Sequence, residues 1–345
     1  MNKVLLSLGL LGTAISLQAA ILTVSNLPAG GAQYSTLNAA YTAASPGDTL
    51  MLQGSNTAYS ITGQWNKALV VIGTGVFPDK DNVINAKISS FQFAGGGSGS
   101  KFYGVVFQSV VQVAYAFTGL NLYFEACQFN SYVDVNYDQG TWTFVNCLFE
   151  QDNYYNVYVN GSSYNVAGLE FRNCVFDGTF LGGNNPGIPW LFDHCLFLAS
   201  STAIFTNVRG ATISNCIFAN RFPEGVTNTT FLNNLCAVSG TFPPAGGGGN
   251  SALSNIENSN PLFVNFTSGQ LFSTSRDYHL QAGSPAIGAG SDGTDIGLFG
   301  GSTGFNLSFE PQNAPVVRRV LIQNPTISPN GILNVNVKAS TPRSN

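Results

Sequence analysis

Charge is what this sequence has least of. Of 345 residues, 13 are Lys or Arg and 17 are Asp or Glu, which puts charged residues at 9%, against roughly 25% in an ordinary soluble protein. The formal charge is −4 and no basic cluster exists, which argues against any role on nucleic acid. Histidine is nearly missing. His194 and His279 stand far apart in the chain, so a zinc site of the His/Cys kind has no tetrahedron to draw on. Past residue 20 no apolar run approaches the ~20 residues that span a bilayer. No transmembrane segment is expected once the first residues are removed.

Those first residues read as a secretory signal. Lys3 precedes an apolar run from Val4 to Leu17, and Gln18-Ala19-Ala20 supplies small residues for cleavage. The expected destination is secretion or the bacterial cell surface. Glycine (39) and phenylalanine (26) are abundant, with 13 tyrosines. Asparagine is plentiful too, and Asn and Gly tolerate the left-handed backbone of tight corners.

A repeat organises the rest. Phe144-Val145-Asn146-Cys147-Leu148-Phe149 returns as Phe171-Arg172-Asn173-Cys174-Val175-Phe176 and as Phe192-Asp193-His194-Cys195-Leu196-Phe197. Looser copies centre on Cys127 and Cys216, with Val105 and Asn234 taking the cysteine slot at the two ends. Cys127, Cys147, Cys174, Cys195 and Cys216 are spaced by 20, 27, 21 and 21 residues. A fixed period in the low twenties marks a solenoid. Apolar residues alternating with small polar ones make each copy a short strand, and the period is too short for a strand–helix–strand unit of roughly 30 residues. The expected fold is all-β, a parallel β-helix with strands stacked about 4.8 Å apart. Six cysteines in an exported chain would suggest disulfides. Five in one inward file have parallel Cβ directions, which suit a disulfide poorly; a buried thiol ladder is the expectation.

Along the chain, residues 1–20 are the signal and 21–48 an N-terminal cap. Within the cap, Leu37, Ala40, Tyr41 and Ala44 share one face of a short helix that Ser35 or Thr36 can cap. Residues 49–308 form the solenoid, with an irregular coil from about 250 closing its C-terminal end. Residues 309–345 are a hairpin or linker tail, with runs 316–322 and 332–337 flanking Pro329-Asn330-Gly331.

The stretch 37–49, ending Pro46-Gly47-Asp48-Thr49, together with the stacked Asn-Cys-x-Phe coils, resembles the right-handed parallel β-helix proteins of the pectin-lyase-like superfamily. Asn260-Pro261-Leu262-Phe263, Asp277-Tyr278-His279-Leu280 and Ser284-Pro285-Ala286-Ile287 are similar to the end of bacterial surface β-helix proteins of the choice-of-anchor type. The resemblance covers residues 21–300 or so. It implies the fold with a short N-terminal capping helix. For activity it implies little, since the superfamily holds lyases, hydrolases, adhesins and proteins without known activity. Its lyases bind Ca²⁺ through clustered carboxylates and use an Arg or Lys as base; its hydrolases use closely set aspartates.

Against that pattern, Asp134 and Asp138 share a coil, Asp152 and Asp177 lie in others, and Asp193 precedes His194. A catalytic arginine would be Arg172, Arg209 or Arg221. Acid/base chemistry needs two groups converging on one bond, and no such convergence can be read here, so no catalytic residue and no metal ligand is assigned. No cofactor is implied, apart from room for Ca²⁺ at Asp292 and Asp295, where a turn is the commoner explanation. Trp142 and Trp190 are expected in the core, and His194 in a corner in place of Asn. The strongest feature is a Tyr/Asn surface of Tyr132, Asp134, Asn136, Tyr137, Tyr154, Tyr155, Tyr158 and Asn160. Aromatic faces beside amide groups suit sugar rings, and suit protein contact as well. The expected function is a non-catalytic surface scaffold binding a polysaccharide or a cell-surface protein. The alternative is a polysaccharide lyase or glycoside hydrolase.

Overall fold

Each coil lays a strand parallel on the one before it. Ile21–Val24 pairs with Thr49–Leu52, and the series runs through Val70–Ile72, Lys101–Tyr103, Leu122–Glu125, Thr141–Val145, Gly168–Arg172 and Trp190–Asp193 to Ser251–Leu253. These strands build the long wall of a tube, 11 strands among the described residues. A middle wall of 8 strands and a short wall of 7 complete it, also parallel. The computed structural model describes residues 19–28, 31–76, 84–89, 91–114, 119–135, 140–150, 154–159, 168–183, 189–200, 203–306, 316–322 and 329–340. Nearly all of the expected signal, and Asn136, Tyr137, Asp138, Asp152 and Asn160, lie outside them.

The repeat sets the core. Its first phenylalanine stacks in a file down the long wall: Phe102, Phe124, Phe144, Phe171 and Phe192, with ring centroids 5.3, 5.0, 4.9 and 5.0 Å apart and near-parallel planes. Its second phenylalanine makes a second file on the middle wall, Phe107 to Phe218, at 5.1, 4.8, 5.0, 5.2 and 4.7 Å. The files meet edge to face, as between Phe171 and Phe176 at 84°, the geometry that aromatic quadrupoles favour. Trp142 and Trp190 are buried among them, as expected.

Between the two walls the chain turns through one left-handed residue. Ala126, Asn146, Asn173, His194, Asn215 and Asn233 have φ between 50° and 56°, a region that Asn tolerates and most residues avoid. The turn throws the next side chain inward. There Cys127, Cys147, Cys174, Cys195 and Cys216 lie free and buried, and Cys236, also free and buried, takes the second-phenylalanine position, so the thiol ladder holds. Each thiol of the ladder donates to the carbonyl two residues earlier: Cys147 Sγ to Val145 O at 3.3 Å, Cys174 Sγ to Arg172 O at 3.3 Å, Cys195 Sγ to Asp193 O at 3.3 Å. Burial pushes the Cys147 and Cys195 thiols well up, which keeps them protonated and inert. Asn234 takes the slot as foreseen, accepting from Cys216 N at 2.9 Å.

Three details differ from the sequence reading. Ile21–Val24 is already the edge rung of the long wall, so the winding starts before the helix and not at Thr49. Helix Leu37–Ala43 is an excursion between the first two rungs. Thr36 caps it by accepting from Ala39 N, and Tyr41 packs on Trp65 at 4.9 Å. The C-terminal hairpin pairs Val316–Ile322 with Val335–Ser340, so its second strand starts three residues beyond the expected second run.

The third difference is larger. Residues 260–305 do not close the end of the tube; Phe242 packs on Phe231 at 5.1 Å there. They run as a strap over the outside of the middle wall. Phe263, Tyr278, Ala286, Ile296 and Leu298 bury Leu148, Val175, Leu196, Ile217 and Leu235 in a second hydrophobic cluster. Those residues occupy the position between cysteine slot and second phenylalanine, and point outward. The corner residues hold the strap: Asn173 Nδ2 donates to Leu298 O and Gly300 O, both at 2.9 Å, and Asn233 Nδ2 donates to Ala289 O at 3.0 Å.

Candidate functional site

The strap covers the middle wall over Leu148, Val175, Leu196, Ile217 and Leu235, while the short and long walls keep open outward faces. On the short wall the outward column is read from the register: Gln64, Gln92, Gln112, Asp134, Tyr158, Leu181, Thr206. Beside it strand Tyr155–Tyr158 and the turns before these strands present tyrosines. Tyr132 lies 5.6 Å from Tyr154 and 5.9 Å from Tyr158, Tyr154 lies 4.9 Å from Tyr155, and Tyr155 lies 5.2 Å from Tyr158. The rings are tilted at 51–57° and Tyr154 is half exposed. Partial burial, then the neighbouring Asp134, raises the Tyr132 phenol above its ordinary value, so the group stays neutral at pH 7. Five of the eight residues singled out in the sequence therefore form one patch: Tyr132, Asp134, Tyr154, Tyr155 and Tyr158.

A second polar-aromatic group was missed. On the long wall Tyr103 and Tyr123 lie 5.8 Å apart, and the Tyr123 hydroxyl donates to Glu125 Oε2 at 2.8 Å. Desolvation, then that hydrogen bond, pushes the Tyr123 phenol far up. The signal was in the sequence: residues two apart around an inward Phe must both face out.

Charged groups also stand on the long wall, each held by a neighbouring side chain. Glu170 pairs with Arg172 at 3.6 Å, and Asp193 sits beside Arg172 in the next rung. Burial would raise the Asp193 pKa, but the close contact with His194 and hydrogen bonds from Asn215 and Ser214 outweigh it and hold the carboxyl below its ordinary value. Asp177 accepts from the strap at Phe272 N, and Arg221 Nη1 donates to Ser200 O at 3.3 Å. His194 is a corner residue, as expected, and carries the strap as well: its Nε2 is 3.2 Å from Thr294 Oγ1 and 3.7 Å from Asp292 Oδ2, and its Nδ1 is 3.2 Å from Asp193 Oδ1.

The donor set for Ca²⁺ does not fit. Asp292 Oδ1 accepts from Thr294 N and Oγ1, and Asp295 Oδ1 accepts from Gly288 N, so both carboxylates serve turns of the strap. Among the described residues no three His, Cys, Asp or Glu side chains gather as a ligand set.

The tube is a parallel β-helix. That rests on its own strand pairing. No family model matches the chain, and no curated protein matches it. Among solved structures it is similar to one described as pectate lyase Pel9A, at 16% identity over 83% of this chain and 97% of that one, with a TM-score of 0.36. A likeness at that score carries no argument about activity here. Among the described residues no helix is long and apolar enough to cross a membrane.

Proposed function

We propose that this protein is an exported, surface-associated β-helix that works by binding, holding a glycan against the tyrosines of its short wall. The carrying observation is the continuous patch of Tyr132, Tyr154, Tyr155 and Tyr158 with Asp134 at its edge. Tyrosine offers an apolar face to the C–H side of a sugar ring and a hydroxyl to its rim. A rigid solenoid holds such rings at fixed spacing, which lowers the ordering cost of binding an extended chain. Export follows from the signal-like residues 1–20, and surface association from the choice-of-anchor likeness of residues 260–287.

The catalytic alternative, a lyase or hydrolase working along the tube, calls for an acid and a base free to converge on one bond. On the long wall Glu170 instead pairs with Arg172, and Asp193 accepts from Ser214 and Asn215. The test is a screen of the purified protein against plant and algal polysaccharides, with and without Ca²⁺, scoring retention and product release separately. Retention without products, weakened at least tenfold in Tyr155→Ala and Tyr158→Ala, supports the reading. Chain cleavage, or retention by a surface protein and no polysaccharide, overturns it.

A further inference from the structure

A bay of about 390 Å³ opens on the tube beyond the short wall, lined by Asn207, Arg209, Gly225, Thr227 and the loop at Ala245–Gly247. Its volume is that of a small-ligand site. Val208–Arg209 pairs in parallel with Val226–Thr227. Val208 and Val226 are buried, so Arg209 and Thr227, the register partners beside them, share the outward face. No carboxylate lines the bay, and Arg209 forms no ion pair among the described residues. The Thr227 hydroxyl oxygen is itself buried beneath that face, without a hydrogen-bond partner.

The floor is bare backbone for a structural reason. A Cβ on Gly225 would meet Phe205 O at 2.1 Å, and one on Gly247 would meet Val226 O at 2.0 Å. Neighbouring rungs pass too close there for any side chain. The result is a recess with one cation, the Asn207 side of the rung and peptide groups, in a protein whose net charge is −4.

We propose that this bay is an oxyanion site for a polar ligand about the size of one sugar ring. The charge of that ligand, a carboxylate or a sulfate ester, is taken by the Arg209 fork. Guanidinium matches both groups through two parallel hydrogen bonds. The site is separate from the tyrosine patch and stands whether or not that patch binds glycan.

The test is calorimetric titration of the full chain with glucuronate, glucose 6-sulfate and neutral glucose at low salt. Anion binding is expected to exceed glucose binding by roughly tenfold or more, the worth of a charge-assisted hydrogen bond. Arg209→Met should remove that preference, and Ala245→Trp, which fills the bay from its exposed rim, should remove binding altogether. Tyr158→Ala should change neither. The relative strength of the two anions says which source of charge the site takes. Equal binding of anions by wild type and Arg209→Met, equal binding of glucose and glucuronate, or no binding up to tens of millimolar would overturn the proposal. Thermal melts of both variants establish that they are folded.

Discussion

The middle and short walls come from the same coils and have opposite outsides. On the last five strands of the middle wall the outward residue is Leu148, Val175, Leu196, Ile217 or Leu235, and the strap buries it. On the short wall the outward column is Gln92, Gln112, Asp134, Tyr158 and Thr206, and it stays partly or fully open. The inside is the same kind of apolar packing for both. A solenoid thus separates stability from recognition by what it places on the outward-facing half of each strand. Two-sided burial reads as an unbroken apolar run, and one-sided burial as alternation.

Four experiments press on that contrast. The largest effect is expected for Ile217→Asp, which buries an unpaired carboxylate under the strap and should cost about 3 kcal/mol or more in urea unfolding. Gln92→Asp on the short wall, exposed and flanked by Gln64 and Gln112, should stay within ~0.5 kcal/mol. Equal costs would mean that the strap does not bury the middle wall.

Next is Asn173→Ala. Its amide donates to Leu298 O and Gly300 O, and its oxygen accepts from Thr303 Oγ1 at 2.7 Å. Losing them should destabilise the protein by about 1–3 kcal/mol. Amide exchange should speed up in residues 290–303 before it does in the coils; uniform acceleration would show that strap and tube open together.

Smaller still is an acid effect. Asp193 and Asp292 are both held below their ordinary value of 3.8. The unfolded chain therefore binds more protons in that range, so stability rises with pH. Their contribution is complete above about pH 4 and is lost as pH falls below it. Asp193→Asn should flatten part of the slope of the unfolding midpoint between pH 4 and 2.5, and an unchanged slope would remove Asp193 from the latch.

The smallest effect on stability is expected on the patch itself. Tyr154→Ala should shift unfolding by under ~1 kcal/mol, since that residue is half exposed. Any large shift would make the tyrosines structural cover and not a binding face.

Much of this was legible beforehand because the solenoid is nearly one-dimensional: each coil touches its neighbours, so the period alone places Cys147 over Cys127 and Phe171 over Phe144. The strap was not legible in the same way. Its contacts join residues some 100 positions apart, such as His194 and Thr294, and no local pattern encodes such a separation. Yet half of the match was in view, in the apolar residue between each cysteine slot and the following phenylalanine. The tyrosine patch was read from composition, and the register then brought Asp134 beside Tyr158. The Arg209 bay was invisible, because glycines and a lone arginine carry no spacing signal.

The sequence by itself determined the tube: the period of about 21 residues, the inward thiols and rings, and the left-handed corners follow from side-chain size and backbone tolerance at each position. The tertiary structure alone decided which outer wall is covered and which is free to bind. That choice depends on where a distant, irregular segment finds enough apolar surface and hydrogen-bonding corners to settle, and both are properties of the assembled wall.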